Sequence, residues 1–134
     1  MEGGQQSGLL DALSEQIEKS WEDVADDRKL FFRGLNHLQA GEIDEAARVF
    51  RRAARRCEPP YSVMARMAQG RCEVVRGHQG AALRVFREVA DSQAPPELRR
   101  LAWMEVVDLA NERQDKELLE KARRALTQYG AARP

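Results

Sequence analysis

The sequence repeats with a step of 36 residues. Under this step Gly34 aligns with Gly70 and Gly41 aligns with Gly77. Further downstream the same step relates Ala46 to Ala82, Phe50 to Phe86, Ala54 to Ala90 and Pro59-Pro60 to Pro95-Pro96. A fixed period of this size is typical of a solenoid, in which each unit is one pair of helices that buries its apolar face against neighbouring units. Solenoids commonly work by presenting a surface to another molecule, so the repeat predicts a class of function and leaves the partner open.

Turn residues predict where the helices of the first two units end. Glycine readily takes the left-handed conformation that closes a helix, so the first helix of each unit, helix A, should end at Gly41 or Gly77. Proline cannot continue a helix, so the second helix of each unit, helix B, should stop at Pro59-Pro60 or Pro95-Pro96. We expect helix B of the first unit to point a row of arginines outward, namely Arg48, Arg51, Arg52, Arg55 and Arg56.

A third unit keeps the step in a weaker form. Ala125 follows Ala53 and Val89 at the same interval, which predicts a third unit with no insertion. The glycine turn is missing there, and residues 111–115 stand in its place. Terminal units of a solenoid are normally atypical because they cap the stack, so we expect this unit to be the last.

An acidic helix is predicted ahead of the repeats. Its apolar residues, at spacings of three and four, are Leu10, Leu13, Ile17 and Trp21, and its acids on the opposite face are Asp11, Glu15, Glu18 and Glu22. Residues 1–28 carry a net charge of −6, and residues 29–134 carry +6. The segment is therefore drawn to a basic surface. Three roles stay open for it: a permanent cap on the first unit, an autoinhibitor in a binding groove, or a contact with a second copy.

The predicted domain plan is a disordered N-terminus (1–6), the acidic helix (7–26), a repeat domain (27–129, with units at about 27–60, 61–96 and 97–129) and a tail (130–134). Within the repeat domain everything reads as helix, and we find no strand alternation in the sequence.

Composition limits the location and the class of partner. The 22 basic residues equal the 22 acidic ones, so the overall charge favours neither nucleic acid nor a membrane surface. The longest apolar stretches are too short to span a bilayer, and residues 1–7 lack the basic and apolar regions of a secretory signal. We interpret Cys57 and Cys72 as reduced, partly buried residues. Together these features predict a cytoplasmic protein with no membrane insertion.

The sequence offers no motif for catalysis. Its two histidines, His37 and His78, lie in different units, and neither has a neighbouring ligand at metal-binding spacing. The glycines are explained by turns and helix crossings, so we do not expect a phosphate-binding loop. The acids Glu42, Asp44 and Glu45 should complement the positive end of a helix dipole. We therefore predict no enzyme activity, no cofactor and no metal.

The first unit resembles the tetratricopeptide repeat. It reads Gly34-x-x-His37-Leu38-x-x-Gly41-x-x-x-x-Ala46-x-x-x-Phe50-x-x-Ala53, and the second unit matches at Gly70, Gly77, Ala82 and Phe86. The resemblance covers about residues 28–126. It implies an all-α, right-handed superhelix of about seven helices, formed by the acidic helix and three helix pairs. The small residues would allow helices A and B to cross closely, with the phenylalanines filling the space beside each crossing.

The same resemblance implies a concave groove lined by the A helices. The residues expected to bind a partner there are Phe31, Leu35, Leu38, Met67, Arg71, Val74, Arg100, Trp103 and Val107. This lining is mainly apolar and suits an amphipathic helix or an extended apolar segment of another protein. A Lys/Asn/Arg clamp for acidic chaperone tails is not favoured, since Phe31 and Leu35 stand where lysine and asparagine would be needed. Part of the lining could instead be repeat core.

We therefore predict a non-catalytic protein-interaction module, acting as an adaptor, a scaffold or a chaperone-like protein. The first alternative is a self-associating structural protein that uses the acidic helix or the third unit as its contact. An accessory nucleic-acid-binding protein is less favoured, because Phe50 and Phe86 are expected to be buried and could not stack on bases. The rotation of the A helices, and so the side chains that reach the groove, stays open at this point.

Overall fold

The computed structural model describes the backbone of residues 4–131 and the side chains of residues 8–13 and 27–129. The described chain forms six α-helices: α1 (Gly4–Gln39), α2 (Ile43–Arg56), α3 (Tyr61–Val75), α4 (Gln79–Ala90), α5 (Pro96–Glu112) and α6 (Lys116–Ala131). Because this part of the chain has no strand, the prediction of an all-α fold is confirmed. Each helix packs against the next one in the chain, and α3 also contacts both α1 and α5.

The acidic helix and the first helix A are one continuous element. The sequence predicts separate helices on either side of the boundary between 7–26 and 27–129, where Asp26 or Asp27 could cap the second one. That break is not formed, because α1 runs without interruption through both residues. Asp27 makes tertiary contacts instead of capping a new helix: its carboxylate lies 3.3 Å from Arg56, and its backbone carbonyl accepts a hydrogen bond from the Cys57 thiol. No glycine or proline interrupts the chain at this point, so nothing opposes the helix there.

The chain ends are more helical than predicted. Residues 4–6 of the expected disordered N-terminus already belong to α1, and residues 130–131 of the expected tail belong to α6. The rest of those two predictions, for residues 1–3 and 132–134, lies outside the described residues.

The two glycine turns form as expected. Gly41 and Gly77 have φ values of 81° and 83°, in the left-handed region. In each turn the glycine N–H bonds the carbonyl three residues earlier, and the next N–H bonds the carbonyl five residues earlier (Gly41 to Leu38, Glu42 to His37). These bonds satisfy carbonyls at the end of helix A that would otherwise lack partners.

The third unit makes the same turn without glycine and one residue late. Gln114 adopts φ 58° and donates to the carbonyl of Asn111, while Asp115 donates to that of Ala110. Gln114 lies 37 residues after Gly77, so the expectation of a third unit without insertion is wrong at this turn. The Asp115 carboxylate also accepts a bond from the backbone N–H of Leu118 and caps α6.

Replacing Gln114 with glycine should raise the free energy of unfolding by about 0.5–1 kcal/mol, because glycine takes a positive φ without the steric cost that a side chain has there. Urea unfolding followed by circular dichroism would measure the change. Arg113 is the matched control: its φ is −83°, so Arg113→Gly should only lose stability. Equal losses for both variants would contradict the assignment of strain to Gln114.

Helices A and B cross where the sequence has its small residues. A Cβ atom added to Gly34 would lie 2.6 Å from the ring of Phe50, and one added to Gly70 would lie 2.8 Å from the ring of Phe86. Both rings are fully buried. The predicted steric reason for the two repeat glycines is therefore confirmed.

The described side chains form two apolar cores, and α3 contributes to both. The first core has buried residues from α1, α2 and α3; the second has buried residues from α4, α5 and α6. Ala65 and Cys72 of α3 belong to the first core, while Val63, Met67 and Val74 pack against the second. Different residues of α3 therefore pack into different cores.

Candidate interaction surface

The odd-numbered and even-numbered helices distribute their apolar residues differently. In α2, buried residues lie on one side, and the predicted row of arginines, Arg48 to Arg56, is exposed on the other. The exposed large apolar side chains of the described residues, by contrast, all lie on α1, α3 and α5. They are Leu9, Leu10, Leu13, Phe32, Val75, Leu101 and Met104. The odd helices therefore carry apolar residues both toward a core and toward solvent.

Four of these exposed residues belong to the repeat domain. We define the odd-helix face as the exposed side of α1, α3 and α5 that carries Phe32, Val75, Leu101 and Met104. Phe32 and Met104 are separated by two steps of 36 residues, and Ala68, which is half-buried, occupies the intermediate position. The three residues are thus equivalent positions of three successive units.

Side-chain contacts connect the odd helices along this face. At one end, the ring of Phe32 lies 6.3 Å from that of Tyr61 on α3, and the Arg28 guanidinium stacks over Tyr61 at 5.0 Å. At the other end, Arg71 of α3 donates to Glu105 of α5 at 3.0 Å. Arg71 lies four residues before Val75, and Glu105 is four residues after Leu101, so each shares a helix side with that apolar residue.

Two of the predicted partner-binding residues are core residues. Phe31 and Trp103 are each only 6% exposed, whereas the next residues, Phe32 and Met104, are 51% and 43% exposed. The ring of Phe31 packs 5.9 Å from that of Phe50. The expected groove was therefore placed about one residue away from the surface that is exposed, and the prediction is wrong for Phe31 and Trp103.

The other predicted lining residues divide into two kinds. The apolar ones are half-buried and pack against the cores: Leu35 and Leu38 against the first, and Met67, Val74 and Val107 against the second. The two arginines sit on the odd-helix face. Arg71 forms the exposed ion pair with Glu105, and Arg100 lies 3.5 Å from the sulfur of Met104 and 3.6 Å from Glu97. The partner-binding role of these seven residues stays a prediction.

Phe32 and Met104 were missed because the repeat pattern does not fix helix rotation. One signal was present in the sequence: both are large apolar residues at the same repeat position, next to residues that the pattern assigns to the lining. Periodicity alone cannot decide which of two adjacent apolar residues is buried, since a step of one residue turns a helix by only about 100°.

The even helices present arginine to solvent. Arg51, Arg87 and Arg123 are exposed and occupy the same repeat position on α2, α4 and α6. Neighbouring arginines form exposed pairs within their own helix, such as Arg48 with Glu45 and Arg124 with Glu120. Exposed pairs of this kind each contribute well under about 1 kcal/mol, so this face adds solubility more than stability.

The two histidines bind glutamate across the turns. The Nδ1 atom of His37 lies 2.8 Å from Glu42, and that of His78 lies 2.9 Å from Glu73. Under the repeat step His37 corresponds to Glu73 and Glu42 to His78, so the second unit makes the same contact with its partners exchanged. The same two residues of each pair also share a backbone hydrogen bond: the N–H of Glu42 donates to the carbonyl of His37, and the N–H of His78 donates to that of Glu73. Both histidines therefore have a structural contact in the turn.

The cysteines are free, buried thiols. Cys57 and Cys72 are both buried, and neither forms a disulfide. Burial raises the pKa of both thiols above the ordinary value, and the nearby carboxylates of Asp27 and Glu73 add to the effect. A raised pKa keeps a thiol protonated at neutral pH, and a protonated thiol is a poor nucleophile and a poor metal ligand.

Comparison with protein families, with curated proteins and with solved structures finds no match to this chain. Among the described residues, no helix combines the length and the apolar character needed to cross a membrane, and no group of three or more histidine, cysteine or acidic residues could hold a metal ion.

Proposed function

We propose that this chain is a non-catalytic, cytoplasmic protein-interaction module of the tetratricopeptide type, whose odd-helix face binds an apolar segment of another protein. The observation that carries the proposal is the restriction of exposed large apolar side chains to α1, α3 and α5. A helix that is apolar on both sides normally has both sides covered in the working state of the protein. The second side of the odd helices has no such cover within the repeat domain as described.

The repeat architecture supports the same proposal. Each helix packs on its neighbour in sequence, and α3 touches α1 and α5, as a stack of helix pairs requires. In such a stack, equivalent positions form a row, here Phe32, Ala68 and Met104. A row with a small residue between two large ones can accept an apolar side chain of an amphipathic helix or an extended segment at Ala68.

The apolar area of the odd-helix face supplies part of the binding free energy. Its four large side chains are between 40% and 59% exposed, so covering them contributes on the order of 3–6 kcal/mol before the costs of association and ordering. Micromolar affinity, which needs about 8 kcal/mol net, therefore also requires contacts with the residues around these four. Arg28, Arg71 and Arg100 lie at the edges of this face. They would pair with acidic groups of the partner and so fix its orientation.

The proposal is tested by placing charge in the middle of this face. Leu101→Asp with Met104→Asp should abolish capture of partner proteins from a native lysate, because two desolvated carboxylates would oppose binding of an apolar segment. Quantitative mass spectrometry of the captured proteins gives the result, and circular dichroism checks that the variant is folded.

A matched control adds the same charge to an even helix. Thr127 and Gln128 of α6 are exposed, so Thr127→Asp with Gln128→Asp should leave capture unchanged. Partners that are lost equally from both variants, or from neither, would count against the odd-helix face as the binding surface.

Self-association is the second candidate function, and a separate observation favours it. Leu9, Leu10 and Leu13, which lie outside the repeat domain, are exposed on the N-terminal part of α1. A permanent intramolecular cap would have covered them, so that role is wrong for residues 8–13.

A further inference from the structure

We propose that the odd-helix face of one copy of this chain holds Leu9, Leu10 and Leu13 of a second copy, and that two copies exchange these segments in a closed dimer. The inference rests on the proposed function, since it names one occupant of the same face. We call residues 8–13 the leucine segment.

The leucine segment is an apolar surface without cover in the single chain. Leu9, Leu10 and Leu13 are between 53% and 65% exposed. At spacings of one and three residues they lie on one side of α1, with Asp11 on the other. Three leucines exposed together on a helix are unfavourable in water, and covering them stabilises whatever complex does so.

The segment cannot reach the face of its own chain. Because α1 is one helix from Gly4 to Gln39, the segment is held away from the repeat domain. With a rise of about 1.5 Å per residue, Leu13 lies about 28 Å from Phe32 along the helix axis. Only a break in α1 would bring the two together within one chain. An occupant of this kind must therefore come from a second copy.

Charge favours docking on the repeat domain over pairing of two N-terminal segments. Residues 1–28 carry a net charge of −6, and the remainder carries +6. Two leucine segments packed on each other would bring two acidic segments together, which is unfavourable. Much of the positive charge of the repeat domain lies on the even helices, so the charges that bear on docking are those at the odd-helix face itself. Three arginines lie there: Arg28 stacks over Tyr61, Arg71 contacts Glu105, and Arg100 contacts Met104.

Reciprocal exchange involves both kinds of exposed apolar surface. Each copy supplies one leucine segment and one odd-helix face, so two copies related by a two-fold axis use both surfaces and close the assembly. The exchange would cover Leu9, Leu10 and Leu13 together with the part of the odd-helix face on which they dock.

Two double variants test the exchange in the full chain by sedimentation velocity at micromolar concentrations. Leu10→Gln with Leu13→Gln removes the occupant, and Leu101→Gln with Met104→Gln alters the face. Each should raise the dimer dissociation constant at least about a hundredfold, since each alters two apolar side chains in each of the two equivalent contacts, four side chains per dimer. Glutamine is uncharged and a good helix former, so the charge balance and α1 are kept. Gly8→Gln is the matched control, as Gly8 is exposed on a different side of α1 from the leucines and should leave the dimer unchanged.

Mixing the two double variants separates exchange from simple pairing. The first variant keeps an intact face and the second keeps intact leucines, so one of the two contacts can form between them. The mixture should therefore form a mixed dimer that is weaker than the wild-type dimer and tighter than either variant alone. A wild-type dissociation constant for the Leu101/Met104 variant, beside a monomeric Leu10/Leu13 variant, would show leucine segments pairing with each other and overturn the inference.

A wild-type chain that stays monomeric throughout would also overturn the exchange. The proposed function fails separately: it fails if charge at Leu101 and Met104 leaves capture of other proteins unchanged, whatever the oligomeric state. The two experiments therefore distinguish a wrong occupant from a wrong face.

Discussion

Replacing Phe86 with alanine should lower the free energy of unfolding by about 3–5 kcal/mol, because a fully buried ring would leave a cavity that the surrounding helices fill only in part. Phe86 lies at the crossing of α3 and α4, directly against Gly70, so the loss occurs where the two helices are closest. Natural domains are stable by only about 5–15 kcal/mol, so this change removes a large share of the total. Urea unfolding followed by circular dichroism measures the shift.

Phe32 provides a control with the same chemical change. Its ring contacts Phe31 and Tyr61 but is half exposed, so Phe32→Ala should cost only about 1 kcal/mol. The pair also separates stability from binding, since Phe32→Ala should weaken partner capture in a chain that is still folded. Similar losses of stability for the two variants would contradict the assignment of Phe86 to the core and Phe32 to the surface.

Gly34→Ala should destabilise the chain by about 2 kcal/mol, although alanine is the better helix former by about 1 kcal/mol. The added methyl group would lie 2.6 Å from the ring of Phe50, and that ring is fully buried in the first core. Either the ring or the crossing of α1 and α2 must shift. Thermal unfolding of the variant and of the wild-type protein measures the cost.

Gly80→Ala is the matched control for this steric effect. Gly80 is also helical, but an added Cβ atom there would have no atom within 4 Å, so alanine should be neutral or slightly stabilising. A double-mutant cycle with Phe50→Leu should show coupling between positions 34 and 50, because a smaller side chain makes room for the methyl group. Additive effects would mean that the ring of Phe50 is not what excludes a side chain at position 34.

The features that could be predicted from sequence are those with a local cause. Gly41 and Gly77 close their helices because left-handed backbone is required at one residue, and glycine supplies it. The roles of Gly34 and Phe50 follow from a steric rule for crossing helices that applies to any unit of this pattern. In each case the residue type is nearly sufficient to specify the contact.

The features that could not be predicted are those where tertiary packing chooses between two local structures that the sequence allows equally. Asp27 is a good helix cap by type, but in the folded chain its carboxylate pairs with Arg56 and its carbonyl with Cys57, so α1 continues. The predicted binding surface lies about one residue away from the exposed one for a related reason. Phe31 and Phe32 are identical residues in adjacent positions, and only the packing of α1 on α2 and α3 decides which of the two is buried.

The sharing of α3 between two cores bears on the cooperativity of unfolding. Ala65 and Cys72 tie α3 to the first core, and Val63, Met67 and Val74 tie it to the second. In a linear array the coupling between distant units passes only through the interfaces between neighbours. Loss of α3 would expose apolar surface in both cores at once, whereas loss of α6 would expose only the second. The middle helix thus transmits stability between the two ends of the chain, and the terminal helices are the elements expected to open first.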